Sequence, residues 1–151
     1  MKIGIGNDHS AFALKQTVKA YLESQGHEVI DYGAYSAERS NYPEFGEKVA
    51  RAIQRGEVER GVLICGTGVG ISIAANKVKG IRAAVCSEPV TASFVRRHND
   101  AQIIAFGARI VGEEMAKAIL DAYFSASFEG GRHQMRIDMI TDIENRESGQ
   151  A

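Results

Sequence analysis

Five short runs of apolar, β-forming residues alternate along the chain with segments whose apolar residues recur at helical spacing, and this alternation constrains the fold most strongly. The third run, Gly61–Cys65, is apolar without interruption, which is typical of a strand buried on both faces. Strands that alternate with helices form a parallel sheet covered by helices on both faces, joined by right-handed crossovers. We therefore predict one doubly wound α/β domain, Rossmann-like or flavodoxin-like, over residues 1–151.

Caps, glycines and prolines place the boundaries of the predicted elements. Strands are expected at 2–6, 27–32, 61–65, 81–85 and 102–106. Helices are expected near 12–22, 43–53, 71–78, 88–98 and 113–124, with a polar loop over 33–42. A last helix over 132–147 forms a C-terminal tail, and it is polar enough to lie on the surface or against another subunit.

The composition excludes several classes of protein. The 151 residues are 44% hydrophobic and 25% charged, which is typical of a globular chain rather than a disordered one. A formal net charge of −1 gives no electrostatic footprint for nucleic acid, and no apolar run approaches the roughly 18 residues of a membrane span. The amino terminus lacks a signal-peptide core, and Cys65 and Cys86 make no disulfide scaffold. We expect a cytoplasmic protein with neither nucleic-acid nor membrane partners.

In folds of this class, ligands bind beyond the carboxyl ends of the strands. Four polar segments are expected there: Asn7–His9, Cys65–Gly70, Ser87–Glu88 and Gly107–Arg109. The second has alternating glycines, which let successive N–H groups face an anion, and the next helix adds its positive end. This loop is therefore either an anion site or a tight turn without a ligand. It is not a Walker loop, since no Gly-Lys-Ser/Thr follows, and Ile71 replaces the third glycine of the dinucleotide fingerprint.

Several side chains near these segments have both a functional and a structural interpretation. The Cys65 thiol, aimed at the start of a helix, has its thiolate favoured and could act as a base or nucleophile, or be an inert buried residue. Asp8 and His9 form either an acid–base pair or a cap followed by a surface histidine. Arg132 and Arg136 share one helix face, which suits phosphate, although a solvated charged face is the alternative. The four histidines lack metal-binding spacing, so we predict no metal site.

His98 and Asn99 are expected at the end of the fourth helix, just before the fifth strand. Such a position lies at the amino edge of the sheet, whereas Cys65 ends a strand at the carboxyl edge. One chain therefore cannot easily bring His98 to the glycine loop, but a neighbouring subunit could. If both residues are catalytic, the site is shared across a subunit interface.

Several segments resemble the ribose-5-phosphate isomerase B family. The longest is GVLICGTGVGISIAANK at residues 61–77, and further matches follow in register at 6–9, 82–86, 98–100, 106–109 and 129–133. The similarity extends over about residues 1–145. It implies a metal-independent isomerase without a cofactor that interconverts ribose 5-phosphate and ribulose 5-phosphate through a cis-enediol. It also implies a homodimer with shared active sites, or a tetramer.

The same resemblance implies a role for each matched residue. Cys65 corresponds to the base that moves a proton between C1 and C2, His98 to the residue that opens the furanose ring, and Asp8 to a group that handles hydroxyl protons. Thr67 corresponds to a residue that stabilises the enediolate. The other implied substrate contacts are Gly66, Gly68, Val69, Gly70 and Asn99 around the sugar, and His9, Arg109, Arg132 and Arg136 at the phosphate.

The sequence departs from the family pattern at two places. Ile71 stands where other branches carry a glutamate, so the chain fits the branch that uses a cysteine. Ser10 and Ala11 replace a glycine-containing loop, which we expect to affect packing rather than catalysis. Related proteins act on allose 6-phosphate or galactose 6-phosphate, and His98 favours the pentose substrate. A hexose-phosphate isomerase remains an alternative, as does a non-catalytic nucleotide- or flavin-binding module suggested by the fold and glycines alone.

Overall fold

The computed structural model describes residues 1–149, so the last two residues of the predicted domain lie outside it. Its strands are β1 (Lys2–Asn7), β2 (Glu28–Asp31), β3 (Arg60–Cys65), β4 (Ala83–Val85) and β5 (Ile103–Gly107). All five pair in parallel in one sheet of order β2-β1-β3-β5-β4. The predicted α/β fold class is confirmed.

Six helices surround this sheet: α1 (Phe12–Ser24), α2 (Tyr42–Gln54), α3 (Val69–Asn76), α4 (Pro89–Asn99), α5 (Glu113–Ser125) and α6 (Arg132–Glu147). Helices α1, α4 and α5 cover one face, and α2 and α3 cover the other. Alternate residues of β3 enter the two cores, because successive strand side chains point to opposite faces. Val62 and Ile64 pack under the first set of helices, and Leu63 and Cys65 under the second. The uninterrupted apolar run thus contributes side chains to the hydrophobic cores on both faces of the sheet.

The prediction is right about the order and type of the main elements and less accurate at their ends. Helix α3 begins at Val69 rather than Ile71, because Gly68 has a left-handed φ of 81° that ends the loop two residues earlier. Strand β4 begins at Ala83 rather than Ile81, because the N–H of Arg82 donates to the Gln102 side chain instead of a neighbouring strand. Outside the main elements, a 3-10 turn at His9–Ala11 precedes α1.

The strand order places a switch point between β1 and β3. These strands are neighbours, yet the helix after β1 lies on one face of the sheet and the helix after β3 lies on the other. The connections therefore diverge, and a crevice opens at the carboxyl ends of the two strands, where ligands of such folds bind. Asp8 follows β1 there, and Cys65 ends β3.

Helix α6 exposes large apolar side chains, although its composition is polar overall. These are Met135, Met139, Ile140 and Ile143, each about half exposed or more. A group of apolar side chains left uncovered marks an interaction surface when it is contiguous. Within residues 1–149, no helix has both the length and the apolar character needed to cross a membrane.

A buried ion pair that the sequence analysis did not predict joins α1 to the end of β2. Lys15 is fully buried, and its Nζ donates to both carboxylate oxygens of Asp31, at 3.0 and 2.8 Å, and to the carbonyl of Ala34 at 2.7 Å. Asp31 also accepts from the N–H of Gly33. The pair therefore anchors the beginning of the loop over 33–41, which reaches the crevice further on.

We predict that Asp31→Ala destabilises the protein far more than Lys15→Met does. Removal of the carboxylate leaves a buried ammonium with one carbonyl partner, and breaking a buried pair in this way costs about 3–5 kcal/mol in the free energy of unfolding. Methionine instead removes the buried charge and leaves a partly exposed carboxylate. Urea denaturation at fixed protein concentration measures both. Glu44→Ala, which breaks an exposed pair with Lys48, is the control, and an equal loss in Asp31→Ala and Glu44→Ala would contradict the account.

Candidate active site

A cavity of about 380 Å³ occupies the crevice at the carboxyl ends of β1 and β3. Its lining gathers most of the predicted site residues: Asp8, His9, Cys65, Gly66, Thr67, Val69, Gly70 and Arg109. Ser10 and Tyr42 complete the wall. Three of the four predicted polar segments thus converge at one edge of the sheet, whereas Ser87–Glu88 does not line this cavity and Glu88 instead caps α4.

Cys65 lies at the carboxyl end of β3 with only 4% of its surface exposed. Its Sγ accepts a hydrogen bond from the N–H of Gly68 at 3.2 Å. The Gly68 N–H is thus aimed at a sulfur on the cavity wall. Cys86 differs, because it packs in the core under α4 and burial raises the pKa of its thiol to about 11, so it stays protonated at neutral pH. Only Cys65 therefore combines a cavity position with a donor to its sulfur.

The glycine loop presses directly against the end of β5. A Cβ at Gly68 would lie 2.7 Å from the backbone of Phe106, and one at Gly107 would lie 2.5 Å from the Cα of Thr67. Neither contact is possible with a side chain, so both glycines are required for this approach. The loop then enters α3 at Val69, and the first-turn N–H groups of a helix lack partners within it. The Val69 N–H donates to the Thr67 hydroxyl at 3.2 Å, and Val69 and Gly70 both line the cavity.

Asp8 and His9 are held by different parts of the chain. Asp8 Oδ1 accepts from the N–H of Ser10 at 3.1 Å and from its hydroxyl at 2.6 Å. Asp8 therefore caps the 3-10 turn, which is the structural interpretation, and it also lines the cavity, so its acid–base role stays a prediction. His9 donates its N–H to Ser40 Oγ at 3.0 Å, and its Nδ1 lies 3.2 Å from the Ser40 carbonyl.

Ser10 and Tyr42 were not among the predicted site residues. The hydroxyl of Ser10 contacts Asp8, so its departure from the family pattern bears on a candidate acid–base group as well as on packing. Tyr42 approaches the glycine loop so closely that a Cβ at Gly70 would lie 2.6 Å from its ring. Nothing in the local sequence signals that approach, because it depends on how α2 packs against α3.

Five predicted residues do not line this cavity: Gly68, which lies within the glycine loop, and His98, Asn99, Arg132 and Arg136. The guanidinium of Arg82 donates to the Asn99 carbonyl at 2.9 Å, and Asp100 lies 3.6 Å from Arg60. Arg60 is the first residue of β3 and Cys65 is the last, and about 16 Å of strand separates them. His98 therefore lies at the amino edge of the sheet, as predicted, and a single chain does not bring it to Cys65.

His98 lies in a cluster with Glu129 and His133. The two imidazole rings stack at 4.1 Å between centroids with an interplanar angle of 8°. Ligand atoms of all three residues lie within 4.8 Å of one another. A metal ion binds a histidine nitrogen in the plane of its ring, and two parallel planes about 4 Å apart cannot share one ion at ligand distances near 2 Å. The cluster as arranged does not suit a metal.

Arg132 and Arg136 lie on α6 beside this cluster. Both side chains are exposed, and neither forms an ion pair with any residue in the range 1–149. Arg109, on the cavity wall, is also exposed. The candidate residues thus form two separate groups: one at the carboxyl edge around Cys65 and one at the amino edge around His98.

Comparison with known proteins identifies the family. A family model described as ribose/galactose isomerase matches residues 3–140. The chain is 57% identical over 145 residues to ribose-5-phosphate isomerase B of Escherichia coli, covering 96% of this chain and 97% of that protein. It is 43% identical over 152 residues to D-erythrulose-4-phosphate isomerase of Pectobacterium atrosepticum, covering 99% of each.

The structure is also similar to a solved one. Ribose-5-phosphate isomerase B of Clostridium thermocellum aligns with a TM-score of 0.96 at 52% identity, covering 97% of this chain and 99% of that chain. With the family match extending over most of its length, the chain belongs to the ribose/galactose isomerase family.

Proposed function

We propose that the chain, as one isomerase domain, interconverts ribose 5-phosphate and ribulose 5-phosphate. The observation that carries the proposal is the Cys65 thiol in the cavity wall, with the Gly68 N–H 3.2 Å from its sulfur and Asp8 and Arg109 in the same lining. A base, a hydroxyl-proton carrier and a cation for phosphate are what an aldose–ketose isomerase of this kind requires. Relatives of 57% and 52% identity carry that activity in their names.

The reaction proceeds through a cis-enediolate. The Cys65 thiolate removes the proton from C2 of the open-chain aldose, the electron pair forms the C1=C2 bond, and O1 takes the negative charge. The proton then returns to C1 while O2 becomes the carbonyl, with Asp8 moving the hydroxyl proton from O2 to O1. Thr67 and the N–H groups of the glycine loop stabilise the oxyanion, and one such donor is worth about 2.7–4 kcal/mol in comparable sites.

A second subunit completes this site. His98, which opens the furanose ring, lies at the opposite edge of the sheet from Cys65, and so does the α6 segment that carries Arg132 and Arg136. We propose a homodimer, or a tetramer built from such dimers, in which the partner's His98 and Asn99 contact the sugar. Arg132 and Arg136 join Arg109 and His9 at the phosphate. The apolar side chains left exposed on α6 support such an interface.

A substrate of another chain length is the second candidate. The matching family is described by both ribose and galactose, and the relative of 43% identity is named for a four-carbon sugar phosphate. The chemistry at C1 and C2 is the same for all of them, so the distinction rests on how far the phosphate lies from the reacting carbons.

We predict that the purified protein in EDTA forms ribulose 5-phosphate from ribose 5-phosphate, because no step above uses a metal. A panel of erythrose 4-phosphate, allose 6-phosphate, galactose 6-phosphate and unphosphorylated ribose, compared by kcat/KM, tests the substrate. Ribose 5-phosphate should rank first and ribose last, because ribose has no phosphate to form charge-assisted hydrogen bonds with the arginines. A higher kcat/KM for another sugar phosphate would reassign the substrate. Absorbance of bound flavin or nucleotide without ketose product would favour the binding-module alternative.

We predict that Cys65→Ala lowers kcat by about 10²–10⁴, the usual contribution of general acid–base catalysis. The change removes one sulfur atom, so circular dichroism and thermal unfolding should stay close to those of the wild type. Cys86→Ala is the matched control and should keep its kcat, because that thiol is buried in the core away from the cavity. Full activity in Cys65→Ala would show that the thiol is structural.

We predict that Cys65→Ala and His98→Ala complement each other. In a two-fold dimer, a mixed pair collects both lesions in one site and leaves the other site intact. Each homodimer should be nearly inactive on ribose 5-phosphate, an isolated mixed dimer should recover about half the wild-type activity, and a random mixture about a quarter. Co-expression with two different tags isolates the mixed species. Verified mixed dimers that stay inactive would mean that Cys65 and His98 act within one chain.

A further inference from the structure

The ring of His98 is held on two sides by aromatic rings. His133 stacks against it at 4.1 Å, almost parallel, and Phe94, one helical turn earlier on α4, lies 4.7 Å away at 40°. Stacked aromatic contacts of this kind favour one ring orientation over the others. His133 is buried, and its Nε2 has no hydrogen-bond partner. The stack therefore restricts the rotation of a ring that is itself partly exposed.

A single carboxylate faces both imidazoles. Glu129 Oε1 lies 3.7 Å from the Nε2 atom of His98 and 3.7 Å from that of His133. Its other oxygen accepts from Arg97 Nε at 2.6 Å, and its backbone N–H donates to the Arg97 carbonyl at 3.0 Å. Because Arg97 directly precedes His98 on α4, these two bonds hold the carboxylate at a set position beside the stacked rings.

The charges around the stack favour the neutral form of His133. Burial lowers the pKa of His133, and so does the positive charge of neighbouring His98, Arg132 and Arg136, while Glu129 opposes them. The hydrogen bond from Arg97 lowers the pKa of Glu129, which keeps its carboxylate ionised. Two imidazolium ions stacked about 4 Å apart would repel each other, which further favours the neutral form of His133. The ionised Glu129 carboxylate thus faces a neutral His133 and the Nε2 of His98, which lies 3.7 Å away.

We propose that Glu129 and His133 are positioning residues that hold His98 protonated and oriented for opening of the furanose ring, an inference that rests on the proposed function. In that step, His98 gives its proton to the ring oxygen as the C1–O4 bond breaks. The O1 hydroxyl gives its proton to Asp8, and the electron pair of the O1–H bond forms the C1=O1 carbonyl. Glu129 stabilises the imidazolium beforehand, and His133 supplies a flat, neutral surface against which the ring lies.

Two measurements separate ring opening from the chemistry at Cys65. Conversion of ribose 5-phosphate starts from a furanose and needs His98. Ribulose 5-phosphate cannot close a furanose ring, because its phosphate occupies O5, so exchange of its C1 hydrogen with deuterium from solvent needs Cys65 but not ring opening by His98. Substitution of a residue that acts through His98 must lower the rate of ribose 5-phosphate conversion and leave the rate of C1 exchange unchanged.

We expect Glu129→Gln to lower kcat/KM for ribose 5-phosphate by about 10- to 100-fold, less than the loss of the acid itself, and to leave C1 exchange nearly unchanged. The limb of the kcat/KM–pH profile that reports loss of the His98 proton should move to lower pH, because the imidazolium no longer has the Glu129 carboxylate beside it. His133→Phe keeps a flat neutral ring and should retain most of the activity, whereas His133→Ala should resemble Glu129→Gln. Glu114→Gln, at an exposed glutamate, is the control.

An equal loss of both rates in Glu129→Gln, or an unchanged rate of ribose 5-phosphate conversion and an unmoved pH profile, would overturn the proposal. An activity of His133→Phe as low as that of His133→Ala would also overturn the proposal. Circular dichroism and size-exclusion chromatography verify that each variant is folded and assembled like the wild type. Failure of the proposed function is distinguishable, because the wild-type protein would then show neither ribose 5-phosphate conversion nor C1 exchange.

Discussion

The strands of a parallel sheet all point the same way, and this one constraint determines where every candidate residue lies. A residue that ends a strand lies at the carboxyl edge, and a residue that ends the helix before a strand lies at the amino edge. Cys65 and His98 are examples of the two cases, and the length of β3 separates them. No rotation of side chains closes that distance, so a reaction that needs both residues needs two chains.

The group of candidate residues at the carboxyl edge is built by backbone contacts more than by side chains. Gly68 and Gly107 let the glycine loop lie directly on the end of β5, which places the Gly68 N–H against the Cys65 sulfur and starts α3 at Val69. A second support comes from the loop over 33–41, anchored at one end by the buried Lys15–Asp31 pair and bonded at the other to His9 through Ser40. The cavity is thus framed by two loops whose positions depend on buried contacts.

Much of this architecture could be predicted from the sequence, and the limits have physical causes. Apolar spacing, caps and glycines are local signals. The succession of strands and helices along the chain follows from them, and so do the opposite locations of Cys65 and His98. The insertion of β5 between β3 and β4 has no local signal, because any apolar strand can pair with any other. The Lys15–Asp31 pair and the approach of Tyr42 to Gly70 depend on tertiary packing in the same way. A charged residue on a helix face gives no sign that it will be buried.

The most direct test of a site shared by two chains is a crystal structure of the assembled protein with ribulose 5-phosphate bound. The account predicts that C1 and C2 lie beside Cys65 of one subunit and that the other end of the same sugar contacts His98 of the partner subunit. The phosphate should meet Arg109 and the α6 arginines together. A sugar phosphate held entirely by one chain, with no subunit placing His98 near it, would contradict the account.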